Sequence, residues 1–155
     1  MIRAKFISLK GEWQAVPADS IRLDLADRHR RRIVMRSAGG VAFLLDLPMA
    51  AMLRDGDALV LDDGRLIEIV AAPETLSEFR VGGAIQLARL AWHLGNRHLP
   101  VQILDGRIRI RHDAVIDDMA RRIGAEVARV DAAFDPELSD NMAAHSHDPL
   151  IKARA

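Results

Sequence analysis

Val101-Gln102-Ile103-Leu104-Asp105-Gly106-Arg107-Ile108-Arg109-Ile110 reads as two short aliphatic strands joined by an Asp-Gly turn. Glycine accepts the positive φ that so tight a turn demands, so the stretch predicts a β-hairpin. On its N-terminal side, Ala84 to Leu94 places Leu87, Ala88, Leu90, Ala91 and Leu94 at helical spacing, with Gln86, Arg89 and His93 on an adjoining polar face. Gly95 stands where a left-handed C-cap is expected. On the C-terminal side, Asp113 is placed to cap a second helix whose buried stripe is Val115, Ile116, Met119 and Ile123, and Gly124 ends it. A strand from about Glu78 and a closing strand over Ala125 to Val130 complete the order β-α-β-β-α-β. That order suggests the ferredoxin-like fold.

The residues before this block follow another pattern. Ile2 to Ser8, Ile21 to Leu25, Arg32 to Arg36, Val41 to Leu47, Ala58 to Leu61 and Leu66 to Val70 are short β-branched or aliphatic runs. Gly39-Gly40, Asp55-Gly56 and Asp63-Gly64 punctuate them, and Asp-Gly between apolar runs favours hairpins. Pro48 to Arg54 has room for at most a turn or two of helix. The expectation is an α+β protein: an all-β domain over 1–72, either a small sandwich or a barrel, then a ferredoxin-like domain over 73–136. Beyond Phe134-Asp135-Pro136 the aliphatic density falls, and Asn141 to Ala155 is too polar to offset its ordering entropy. A flexible tail over 137–155 is expected.

Composition narrows the chemistry. Of 155 residues half are hydrophobic, and 22 basic side chains balance 22 acidic ones. A protein that coats nucleic acid usually needs a basic excess, so nucleic acid is not an expected partner. Cysteine is absent, which excludes disulfides, thiolate zinc sites, iron–sulfur clusters and cysteine nucleophiles. No apolar run approaches the ~20 residues that span a bilayer. The first ten residues lack the apolar stretch of a secretory signal. A cytoplasmic protein without a membrane partner is expected.

Histidine is then the informative side chain. Five of six (His93, His98, His112, His145 and His147, but not His29) lie beyond residue 90. Neutral imidazole suits nickel, copper and zinc, whereas magnesium and calcium prefer oxygen. No His-Glu-x-x-His is present, and one chain offers no evident closed four-ligand site. From spacing alone His98 is first a loop histidine bonded to a backbone carbonyl and only second a ligand. His112 is first a solvated surface histidine, although its place near a helix N-terminus disfavours the imidazolium and would suit a neutral ligand. His145-Ser146-His147 is a minimal chelating pair.

The charged runs read as structural. Arg28-His29-Arg30-Arg31-Arg32 fits a solvated strand edge better than a phosphate patch. Adjacent helical residues do not face each other, so Asp117-Asp118 reads as negative charge at a helix start and Asp62-Asp63 as turn chemistry. No Gly-x-Ser-x-Gly and no phosphate-binding glycine loop occur. A small metal-dependent hydrolase built on His98, His112 and Asp113 would lack an oriented base or nucleophile, and ranks last.

Leu90-Ala91-Trp92-His93-Leu94-Gly95-Asn96-Arg97-His98-Leu99-Pro100-Val101-Gln102 resembles the signature of the urease accessory protein E family, the nickel metallochaperones of urease maturation. The resemblance extends to Leu53-Arg54-Asp55-Gly56-Asp57, Asp62-Asp63-Gly64, His112 to Met119 and Phe134-Asp135-Pro136. It implies an N-terminal β domain suspected of binding a peptide or partner, and a ferredoxin-like domain that binds metal and dimerises. By that resemblance His98 of each chain meets its mate near the two-fold axis as principal ligand, His112 is an auxiliary ligand, and His145 and His147 are tail candidates. An isologous dimer doubles every residue near its axis, so one histidine per chain supplies two ligands.

The implied cargo is Ni(II), received by the urease accessory GTPase and passed to the urease apoprotein and its accessory complex. Copper(II) outranks nickel(II) in the Irving–Williams order and zinc(II) also favours imidazole, so either fits the same site. Affinity should fall as pH drops through the histidine range, because only neutral imidazole binds. Some relatives carry His-x-His where this chain has His112-Asp113-Ala114, which removes one auxiliary ligand. The competing expectation is a dimeric peptide- or protein-binding module that needs no metal.

Overall fold

The computed structural model describes residues 1–137 and divides them into two compact units, Met1–Ala72 and Pro73–Glu137. The first contains β1 (Arg3–Ser8), β2 (Asp19–Leu23), the single turn α1 (Leu25–Arg28), β3 (His29–Arg36), β4 (Ala42–Met52), β5 (Ala58–Leu61) and β6 (Leu66–Ala71). They form one six-stranded sheet in the order β2-β6-β5-β1-β4-β3. Pairings β1/β4 and β2/β6 are parallel, the rest antiparallel. Period-2 alternation turns Phe43, Leu45 and Leu47 of β4 and Ile67 and Ile69 of β6 into a core shared with Ile7 and Leu59. The expected all-β unit is present as one curled sheet. Its two edges approach where Ala38 N–H donates to Ser20 C=O at 2.8 Å.

Three local expectations for this unit are corrected. Pro48 to Arg54 is not helical, because β4 runs on to Met52. Arg30 pairs Ala51 and Arg32 pairs Asp46, so residues 47–50 stand against Arg31 alone. Pro48 sits in that irregularity, where no ladder donor is required of it. Asp55-Gly56 does not make a hairpin, since β4 and β5 are not neighbours. It is a turn docked on the end of β6, with Gly56 N–H on Ile69 C=O and Asp55 Oδ1 accepting from Ala71 N–H. The basic run is a strand edge from Arg30 to Arg32, but Arg28 is fully buried. Asp24 caps α1 by accepting from Asp27 N–H, and that turn takes Arg28 off the strand face.

The second unit contains β7 (Pro73–Arg80), α2 (Ala84–Gly95), β8 (Gln102–Leu104), β9 (Arg107–Arg111), α3 (Ala114–Arg122) and β10 (Glu126–Ala133). Its sheet order is β10-β7-β9-β8, every neighbour antiparallel, which is the ferredoxin-like arrangement. The core gathers Phe79, Leu90, Leu94, Ile108, Ile110, Ile116 and Met119. Asp113 caps α3 as expected, its Oδ1 accepting from Val115 N–H at 2.9 Å and Ile116 N–H at 3.2 Å. Gly124 (φ 91°) ends it.

The α3 stripe is displaced from the expected one. Ile116, Asp117, Met119 and Ala120 are buried, whereas Val115 is 73% exposed and Ile123 is also exposed. The expected flexible tail, including His145 and His147, lies outside the described residues apart from Glu137, whose N–H bonds Val101 C=O. No helix among the described residues is long and apolar enough to cross a membrane.

Candidate metal centre

The loop after α2 carries His98. Gly95 does not act as the left-handed cap; it closes the helix, and Asn96 follows with φ −64°. The left-handed residue is His98 itself, φ 55°, the only non-glycine with positive φ among the described residues. Successive bonds wind the chain into that position: Asn96 N–H to Trp92 C=O, Arg97 N–H to Leu94 C=O and His98 N–H to Gly95 C=O. Arg97 Nη1 also donates to His93 C=O at 3.1 Å. Non-glycine residues in this region are uncommon, and such strain gathers at binding sites.

The His98 side chain is exposed, and the imidazole has no hydrogen-bond or ion-pair partner among the described residues. The bond to a backbone carbonyl that a bland loop histidine would make is therefore not formed among the described residues. His93, expected on an exposed polar face, is half-buried, with its ring edge-on to Trp92 at 5.1 Å. Ile85 (70% exposed) and Trp92 (64% exposed) lie seven residues apart on α2 with exposed Ala88 between them. The sequence spacing picked out the side of α2 that buries Leu90 and Leu94, counted exposed Ala88 with it, and missed the outer apolar stripe of Ile85 and Trp92.

His112 is held on both sides. Ser77 Oγ lies 3.2 Å and Asp117 Oδ2 3.4 Å from Nδ1, while Arg129 Nη2 lies 2.8 Å from Nε2. His112 N–H is fixed to Thr75 C=O, and Arg129 stands opposite Ser77 in the β10/β7 register. The expected solvated histidine is thus a bonded one. Sequence reading missed Ser77, Asp117 and Arg129 as its neighbours; the only available signal was Asp117 one helical turn beyond the cap. Ser77 and Asp117 both face Nδ1, so they do not form a relay through the ring of the kind a serine nucleophile needs. Among the described residues no three His, Asp or Glu side chains converge to hold an ion.

Comparison with known proteins returns matches over both units. A family model described as the C-terminal domain of UreE urease accessory protein matches residues 74–152, and its N-terminal counterpart matches residues 5–72. A urease accessory protein UreE of Bradyrhizobium sp. (strain ORS 278) is 56% identical over 137 residues, covering 88% of this chain and 65% of the relative. The one of Rhodopseudomonas palustris (strain HaA2) is 54% identical over 145 residues, covering 94% and 67%. The one of Chelativorans sp. (strain BNC1) is 49% identical over 148 residues, covering 96% and 91%. The chain spans about two thirds of the length of the first two of these.

Proposed function

The chain belongs to the UreE family of urease accessory proteins, and from that premise we propose that it is a cytoplasmic nickel metallochaperone serving urease maturation, an accessory factor and not an enzyme. In this reading two chains form a homodimer through their ferredoxin-like units, and His98 from each binds one Ni(II). The observation that carries the reading is the unbonded, exposed imidazole of His98 held in a left-handed turn at the end of α2. A ring without partners among the described residues is tied to neither tautomer and can offer either nitrogen, one at a time, to an ion.

That no three ligand side chains converge among the described residues fits a dimer, because a two-fold axis doubles what each chain brings. The outer stripe of α2, Ile85 and Trp92, supports the same unit as the dimer face. Incomplete coordination suits a carrier, since a recipient's ligands can enter before the donor's leave. The recipients proposed are the urease accessory GTPase and the urease apoprotein complex. Zinc(II) and copper(II) would occupy the same imidazoles. His112, His145 and His147 are proposed as secondary ligands. Met1–Ala72 is proposed as the partner-binding unit, supported by the open edge strand β3 with exposed Val34, to which an extended peptide could add.

Nickel titration calorimetry with sedimentation tests this. The wild-type chain should bind at least one Ni(II) per dimer, and His98→Asn should abolish the tight event while leaving the fold intact, because asparagine tolerates the left-handed region. Undiminished nickel affinity in His98→Asn would refute the assignment. Partner binding that is unchanged by exhaustive chelation and by this substitution would favour the metal-independent module.

A further inference from the structure

Of the two histidines in the second unit that face possible ligand roles, only His98 is open. Arg129 Nη2 approaches His112 Nε2 to 2.8 Å. A guanidinium has donors only, so Nε2 accepts and the ring proton resides on Nδ1. The Nδ1–H then points at Ser77 Oγ, with Asp117 Oδ2 close behind. Asp117 is 7% exposed, its Oδ1 has no hydrogen-bond partner, and Ser77 is almost wholly buried. A buried carboxylate behind a histidine N–H fixes the tautomer and makes the opposite nitrogen a better metal ligand. Asp117 therefore prepares Nε2 to bind a cation, and the cation present is Arg129.

We propose that Arg129 is a displaceable guard on His112, so that the Arg129 bond and metal ligation through Nε2 exclude one another. The proposal rests on the nickel-carrier reading and adds a device to it. Arg129 shares the core-packed face of β10 with Val127, yet it is itself exposed, so its guanidinium can swing into solvent without uncovering the core residues. Its charge opposes a divalent ion at short range, and its return gives the departing ion a competitor. Asp117 and Ser77 are positioning residues, and His112 becomes a weak ligand that engages only when Arg129 leaves.

Nickel titration of the full chain tests this, with Arg129→Ala, Asp117→Asn and His112→Asn made in the wild-type and His98→Asn backgrounds. Removing a charge-assisted bond should strengthen the His112-dependent event about tenfold in Arg129→Ala. Removing the carboxylate should weaken it about tenfold in Asp117→Asn. The gain in Arg129→Ala should vanish when His112→Asn is added. A purely structural Arg129 could not raise affinity when deleted, so an unchanged isotherm, or a gain that survives His112→Asn, overturns the guard. Long-range proton–nitrogen NMR of the metal-free chain should show His112 protonated at Nδ1, and protonation at Nε2 overturns the proposal without any metal present. Loss of all His98-dependent nickel binding in the wild type would instead sink the parent reading, and the NMR result distinguishes the two failures.

Discussion

Ser37 donates its hydroxyl to Asp19 Oδ2 at 2.5 Å, and this bond ties β2 at one edge of the six-stranded sheet to the loop after β3 at the other. Asp19 also accepts from Ser20 and Gly39 N–H. The Ser37 hydroxyl first, then the Ser20 N–H and lastly the Gly39 N–H, together outweigh desolvation and hold the Asp19 carboxyl below its ordinary value of 3.8. A carboxyl lowered on folding stabilises the fold above the unfolded value, and that contribution is lost as pH falls through the lower folded value. In Ser37→Ala, carbon-13 NMR titration should find Asp19 moved up toward 3.8. An unmoved titration would show that the hydroxyl does not hold the carboxylate.

Glu78 offers a stronger case in the second unit. It is 4% exposed on β7, with Arg109 Nε at 2.8 Å from Oε2 and Arg80 Nε at 3.0 Å from Oε1. Burial pushes its carboxyl up, but the bonds from Arg109 and Arg80, with the nearby charge of Arg107, outweigh that and hold it below 4.5. Glu78→Gln should lower unfolding free energy at neutral pH by about 2 kcal/mol, less than a wholly buried pair because the arginines reach solvent. The difference from wild type should narrow as pH falls below 4.5 toward the folded value. Urea unfolding at several pH values checks this, and a gap that widens in acid would contradict it.

Turn and cap chemistry made much of this fold legible. Asp113 and Gly124 bound α3 where sequence puts them, and Asp105-Gly106 makes its hairpin, because each effect acts within a few residues. Contacts set by sheet register were not legible. That Arg129 stands opposite Ser77 depends on pairing two residues more than 50 positions apart in the chain, and nothing local to either announces it. The burial of Asp117 follows from that same neighbourhood, since its carboxylate faces the His112 ring. Gly95 misled because one further helical residue costs little, leaving the left-handed position to fall three residues later.

That later position makes a prediction separating fold from chemistry. An L residue in the left-handed region costs about 1–2 kcal/mol, least for asparagine and histidine and nothing comparable for glycine. His98→Gly should therefore match or exceed wild type in unfolding free energy, whereas His98→Val should fall by about 1–2 kcal/mol. On the proposed carrier reading both should lose tight nickel binding in calorimetry. Equal stability of the two variants would argue against the positive φ at His98.

The outer stripe of α2 gives the last test. Ile85 and Trp92 are exposed, so Ile85→Glu with Trp92→Glu should change the stability of the isolated unit by no more than about 0.5 kcal/mol per site. Leu90, on the opposite side, is fully buried, and Leu90→Ala should cost about 2–5 kcal/mol. In the proposed dimer each introduced carboxylate would appear twice across the two-fold axis, so the double variant should sediment as a monomer while remaining folded. Because His98 follows α2 by three residues, separating the chains of the proposed dimer should also leave one such imidazole per particle and weaken the proposed nickel binding with it. A folded double variant that still sediments as a dimer would remove α2 from the interface, and with it the support this helix gives to a shared site at His98.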